Sequence, residues 1–303
     1  MANPEYDCDL AISPDGIVLC QTLSAFLSQK YFPTFAERAL AGGRVVKRRF
    51  LVQLACAGIA AVAMAGVGAG TAGAQESYPS YIQAAIDNPA RPAEDRARDE
   101  ARKPGAMLEF AHVRPGQTVV DFIPGSRYFT RLFSAAVGPS GHVYAFIPSE
   151  LASHVKGGLP ANGSTDPTMP NVTYLVAPVM QFATPAPVDL VWTSQNYHDL
   201  HDPFMGPADM AKFDAAVFKA LKPGGLFIVL DHAAASGSGV SATNTLHRID
   251  PEVVKQEVTA AGFVYEGETD VLRNPADDHT KKVFDPSIRG HTDQFVFKFR
   301  KPK

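Results

Sequence analysis

The sequence predicts an α/β fold in which a single sheet of seven strands carries helices on both faces. Three observations point to it. Between residues 118 and 269, short apolar runs alternate with segments whose apolar residues recur at helical spacing. Most of those runs are apolar throughout, as parallel strands covered on both sides are. Pro–Gly pairs at 115–116, 124–125 and 223–224 break the chain between them.

The N-terminal quarter stands apart. All three cysteines, Cys8, Cys20 and Cys56, lie there. Lys47, Arg48 and Arg49 form a basic patch, residues 50–74 carry no charge, and the run ends in Ala72, Gly73 and Ala74. Basic patch, apolar stretch and small-residue cleavage site together predict a signal peptide over residues 45–74. Lys47 to Leu51 loosely resembles the twin-arginine export signal, and a general secretory route remains open. The 44 residues upstream show no sustained period and read as a non-native upstream extension or a disordered leader. The expected location is periplasmic or secreted after cleavage. The alternative is a membrane anchor at residues 50–74, ranked second because the late part of the run is Gly- and Ala-rich and only weakly apolar.

Residues 75–303 number 229 and hold no cysteine, all nine histidines, 22 Lys+Arg and 26 Asp+Glu, a net charge of -4. This excludes a disulfide scaffold, a Cys nucleophile and a Cys-ligated metal. It also argues against a broadly basic nucleic-acid binder. The expected partner is a small-molecule substrate, with no nucleic acid and no permanent membrane span; the oligomeric state stays open. The length supports one domain, residues 106–303, preceded by a helical segment, 75–105.

The elements follow in order. Eight charges of mixed sign between Arg91 and Arg102 suit a solvent-facing helix. Residues 118–123 form a first strand and 127–137 a helix, with Tyr128, Leu132, Phe133 and Ala136 on one side. Residues 142–147 form the second strand. A Gly-, Pro- and Asn-rich loop spans 157–170. Strands three and four cover 172–176 and 188–193. A helix over 208–221 leads to strand five at 226–230. Asp250 caps a helix that starts at Pro251 and stops at Gly262. Residues 263–269 form strand six. Residues 294–299 alternate in part and suit a partly exposed antiparallel seventh strand.

Ligands of open parallel sheets bind beyond the carboxyl ends of the strands. Asp121 and Gly125 stand at the end of strand one, where glycine permits close backbone approach. The turn lacks the three glycines of a dinucleotide fingerprint, and no G-x-S-x-G or Walker A motif is present. Strand four runs into Asn196, Tyr197, His198, Asp199, His201 and Asp202. Strand five ends in Asp231 and His232, and the loop beyond carries His247 and Arg248. Chain topology brings these to one rim. Their chemistry suits acid–base catalysis, with His198 as general base, Asp199 or Asp202 orienting it, and His247 and Arg248 holding substrate. Metal ligation ranks below this, because His198-x-x-His201 has no known zinc spacing and no H-E-x-x-H occurs. Between strands six and seven, a polar insertion offers Arg273, Asp278, His279 and Arg289 as lid residues, or is simply a solvated loop.

The order of motifs resembles the class I S-adenosylmethionine-dependent methyltransferases, whose sheet is Rossmann-like, and is closest to predicted exported bacterial members. The resemblance covers about residues 106–301. It rests on residues 119–125, 143–147, 188–191, Leu221 to Gly225, and Ala260 to Phe263. It implies S-adenosylmethionine as cofactor, with Asp121, Pro124, Gly125, Ser126, Tyr128, Glu150 and Asn196 around it. Ser126 and Arg127 stand where the family has small residues. Ile147 stands where the family has the acid that holds the ribose, with Glu150 three residues later as its substitute. Two other readings stay open: an exported non-catalytic binding or interaction protein on an inherited fold, and a metal-assisted enzyme using the His/Asp rim.

Overall fold

The computed structural model describes residues 78–206 and 208–303. The expected extension, leader and anchor, residues 1–74, lie outside the described residues. Among the described residues no helix is long and apolar enough to cross a membrane.

Four short helices open the fold: α1 (Ser80–Ile86), α2 (Ala93–Arg96), α3 (Asp99–Arg102) and α4 (Pro104–Phe110). Then come β1 (Thr118–Phe122), α5 (Tyr128–Val137), β2 (His142–Pro148), β3 (Thr165–Asp166), β4 (Met169–Ala177) and β5 (Val188–Ser194). The chain closes with α6 (Met210–Ala220), β6 (Leu221–His232), α7 (Thr243–Leu246), α8 (Pro251–Ala260), β7 (Val264–Glu268) and β8 (Gln294–Arg300). The sheet order is β3-β4-β2-β1-β5-β6-β8-β7. Strands β4, β2, β1, β5 and β6 are parallel, and β8 runs antiparallel between β6 and β7.

The sheet thus has eight strands, not the expected seven. The extra one, β3, is a two-residue strand that turns back on β4 through Thr165↔Thr173 and Asp166↔Met169. Asp166 makes the turn with its side chain, accepting from the backbone N–H of Thr168 at 2.8 Å and of Met169 at 3.2 Å. A strand of two residues has no period to detect, so the sequence read it as loop.

Alternation of side chains across the strands divides the core into two layers. Val120, Phe122, Phe146 and Phe227 face α6 and α8, which bring Phe213, Val217, Val254 and Val258. Val119, Val143, Leu190 and Trp192 face α1, α4 and α5, which bring Ile82, Met107, Leu108, Leu132 and Phe133. Asp250 caps α8 as expected, accepting from Glu252 N–H at 3.1 Å, with Pro251 in the first turn.

Two expectations about exposure are overturned. The seventh strand, β8, is not partly exposed: Gln294 to Phe297 and Phe299 are buried, because β8 is inserted inside the sheet and β7 takes the edge. The charged stretch 91–102 is not one solvent-facing helix either. It breaks into α2 and α3, and Arg91 and Asp95 are buried. Mixed charges three and four apart suit a solvated helix face, but here they have partners on α5. Asp95 pairs with Arg131 at 2.6 Å, and Asp99 accepts from the Tyr128 phenol at 2.6 Å and pairs with Arg91 at 2.5 Å.

Candidate functional site at the carboxyl rim

The order of strands reverses direction between β1 and β5, so the crevice of an open α/β sheet lies beyond their carboxyl ends. The backbone there is strained. Of seven described non-glycine residues with positive φ, four sit on this rim: Ile123, Arg127, Gln195 and His247. Ile123, β-branched and at φ 55°, is an outlier for an L-residue. Such conformations persist where the surroundings over-determine them, and they gather at functional sites.

The densest part of the rim is built by β5 and β6. His198 opens a 3-10 turn, His198–His201, just past β5. Asp231 stands near the end of the adjacent β6 and is fully buried. Its Oδ1 accepts from His198 Nδ1 at 2.8 Å and from His232 N–H at 2.7 Å; its Oδ2 accepts from His198 N–H at 2.8 Å. This network assigns the Nδ1 proton and aims Nε2 the other way. Nε2 lies 3.2 Å from Asp199 Oδ1 and 3.4 Å from His247 Nδ1, and these two lie 3.9 Å apart. All three residues are buried.

Burial opposes a charge on His198, but Asp231 and Asp199 outweigh it and hold the imidazole pKa well above its usual value. Burial likewise opposes the Asp231 carboxylate, and the His198 charge reverses this and lowers its pKa. Burial, then the charge on His198, pull His247 down to about 4. Burial takes His232 down to about 3. Near neutrality, therefore, His198 carries the positive charge and the other two rings are neutral. Asp202 is fully buried beside them. Neither of its oxygens accepts a hydrogen bond of good geometry, although the Thr243 hydroxyl acts on it, and burial raises its pKa.

The other rim residues are engaged elsewhere. His201 turns to Glu257 on α8, at 3.2 Å. Arg248 is fully buried and fastens the 269–293 insertion: it donates to Ala233 O and Lys281 O at 3.0 Å and pairs with Asp277 at 2.9 Å. The insertion covers the histidines. The Phe284 ring lies 4.9 Å from the His247 ring, and His232 Nδ1 lies 2.8 Å from the Thr292 hydroxyl. Of the expected lid residues, Arg273 and His279 pair with Asp293 inside the insertion, and Asp278 closes a local turn on Thr280. Asp277, Phe284, Thr292 and Asp293 do that work instead.

The β1 side of the rim differs. Gly125 has φ +51°, and nothing lies within 4 Å of where a Cβ would stand. The carbonyl of Pro124 closes the turn, accepting from Arg127 N–H at 2.8 Å. The side chains are spent internally. Asp121 points under the turn and accepts from the Thr130 hydroxyl at 2.6 Å; burial raises its pKa to about 7 against that bond and the Arg102 charge. Ser126 accepts from Arg98 at 3.0 Å. Arg91, Arg98 and Arg102 surround the Tyr128 ring at 5.5, 5.1 and 5.0 Å. Arg127 pairs with buried Asp166 at 2.5 Å. Glu150 caps the next turn, both oxygens accepting from Val179 N–H at 3.0 and 3.1 Å. Asn196 donates to Ile123 O at 3.1 Å and to Ser194 O, tying β1 to β5.

The structure therefore gathers His198, Asp199, Asp202 and His247, and leaves His201 and Arg248 outside the cluster. The orienting carboxylate is Asp231, which the sequence placed at the end of strand five without a role. A charged residue closing a fully apolar run was the signal for it.

No protein family matches the chain, and neither does any curated protein. Solved structures are similar to it in fold. A SAM dependent methyltransferase from Aquifex aeolicus is 17% identical, with 74% of this chain and 99% of that one covered and a TM-score of 0.44. An S-adenosylmethionine dependent methyltransferase from Mesorhizobium loti is 15% identical over 67% of this chain and 99% of that one, at 0.44. The [4+2]-cyclase SpnF is 17% identical over 69% and 81%, at 0.46. The likeness is one of fold.

Proposed function

We propose that the chain is a small-molecule enzyme whose reaction centre is the β5–β6 rim, with S-adenosylmethionine as methyl donor at the neighbouring β1 turn. One observation carries the reading: two histidines and an aspartate from separate loops converge where open parallel sheets bind their ligands, backed by a buried carboxylate on β6.

The fit to the cofactor is uneven. The Gly125 turn offers open backbone, which suits the methionine end. The ribose has no acid to hold it, since Ile147 is aliphatic and both oxygens of Glu150 are spent on Val179. When bound, S-adenosylmethionine supplies an electrophilic methyl group. The chain's own residues position and hold protons: Asp231 fixes the His198 ring, and neutral His247 faces it. Calorimetry on the full chain tests the donor. Binding weaker than micromolar, abolished by Gly125→Trp, is expected; no heat at millimolar S-adenosylmethionine sinks the methyl-transfer reading.

The engaged state of Ser126, Tyr128 and Glu150 favours a second reading, a binding protein on an inherited methyltransferase-like fold. It requires the calorimetry to fail. Export through residues 45–74 is a further part of the proposal. N-terminal sequencing of the native protein, with its cell fraction, tests it: an uncleaved cytoplasmic chain rejects it.

A further inference from the structure

We infer that His198, Asp199 and His247 are the protein ligands of a divalent transition-metal ion. The inference deepens the role of the rim as a reaction centre, but the binding it describes stands without methyl transfer. Three features carry it.

The first is distance. His198 Nε2, Asp199 Oδ1 and His247 Nδ1 form a triangle with sides of 3.2, 3.4 and 3.9 Å. The nearest point equidistant from the three corners lies in their plane at about 2.05 Å from each, within the range of zinc bonds to imidazole nitrogen and carboxylate oxygen. No side chain has to move by more than a few tenths of an ångström to reach such an ion.

The second is the outer shell. A ligating histidine commonly gives its other ring N–H to a carboxylate, which fixes the ring and its tautomer. Asp231 does this for His198 at 2.8 Å, and is itself locked by the backbone N–H groups of His198 and His232. The ligand nitrogen is thereby pre-aimed at the other two donors.

The third is charge. Asp199 and Asp231 are buried, and buried charges need partners. Arg248 is spent on Asp277 and backbone carbonyls, so without a metal the one counter-charge touching both carboxylates is the His198 imidazolium, whose Nε2 proton an incoming ion displaces. A dication balances two carboxylates.

Two imidazoles and one carboxylate form a borderline donor set suited to zinc or iron(II), with the remaining coordination position left for water or substrate. The ligands come from adjacent positions on one turn plus a residue 48 positions later in sequence. No short zinc spacing exists to be found.

The test is a Co2+ titration of the full chain, purified without a polyhistidine tag, stripped with chelator and free of S-adenosylmethionine. One equivalent is expected to raise a visible d–d band of four- or five-coordinate cobalt, which one equivalent of Zn2+ then bleaches. His247→Ala is expected to lower the affinity at least about 100-fold, and Asp231→Asn about 10–100-fold with the band retained, as for an outer-shell partner. His201→Ala, on the same turn but outside the triangle, is expected to bind as the wild type does. A wild-type chain that shows no band at about 100 μM Co2+, or a His247→Ala chain that binds normally, overturns the inference. Because no S-adenosylmethionine is present, failure of the methyl donor leaves this result untouched.

Discussion

The two halves of the carboxyl rim use polar residues in opposite ways. At the β1 turn, Asp121, Ser126, Arg127, Tyr128 and Glu150 are each bonded to another part of the chain. At the β5–β6 rim, Asp231 orients His198, and His198 Nε2, Asp199 Oδ1 and His247 Nδ1 face one another. The first half holds its own loops together. The second converges donor atoms on one point. Polar residues at a ligand-binding edge therefore do not by themselves mark a ligand site: what separates the two halves is whether the side-chain valences close within the fold.

Substitutions can break this contrast. The largest effect is expected at Asp231, which satisfies two backbone N–H groups and one imidazole in a fully buried position. Asp231→Ala leaves these groups unpaired and takes from the His198 charge the nearer of its two carboxylates, and urea unfolding should show a loss of about 3–5 kcal/mol. A loss below about 1 kcal/mol means that the β6 carboxylate does not anchor the centre.

Asp121 gives the next effect, on the other side of the comparison. Its folded pKa, about 7, exceeds the ordinary aspartate value of 3.8, chiefly because of burial. Between those pH values the folded state holds a proton that the unfolded state has released. The contribution is complete below about pH 4 and is lost as pH rises through about 7. Asp121→Asn keeps an acceptor for Thr130 and removes the titration. Urea melts should place it near the wild type at about pH 4 and roughly 2–4 kcal/mol above it at about pH 8. A variant whose advantage does not grow with pH contradicts the dry burial of the Asp121 carboxyl beneath the β1 turn.

The smallest effect concerns the N-terminal arginines. Tyr128→Phe removes the phenol that donates to Asp99 but keeps the ring beneath Arg91, Arg98 and Arg102. Its cost should be about 1 kcal/mol in thermal unfolding. A cost near zero shows that the cation–ring stack, and not the hydrogen bond, seats the segment.

Much of the fold was legible in the sequence. Apolar runs marked β1, β2, β4, β5 and β6, and Asp250–Pro251 marked the start of α8, because burial on both faces and capping both leave local patterns. The misreadings share a cause. β3 is too short for a period, β8 alternates in part yet is covered by β7, and Arg91 and Asp95 look solvated until α5 supplies the Tyr128 ring over which Arg91 lies and the Arg131 that pairs with Asp95. Each depends on a neighbour distant in sequence. The candidate site shows the same split. His198, Asp199 and His247 stood out as a histidine- and aspartate-rich rim, while Asp231 and the redirection of His201, Arg248 and Glu150 did not.

By itself the sequence determined the layered α/β architecture and the edge of the sheet that gathers chemistry, since both follow from hydrophobic periodicity and turn residues read along the chain. Only the tertiary structure decided which polar groups are spent and which face one another. That outcome is set by distances of a few ångströms between loops 30 to 100 residues apart, and no local pattern encodes it.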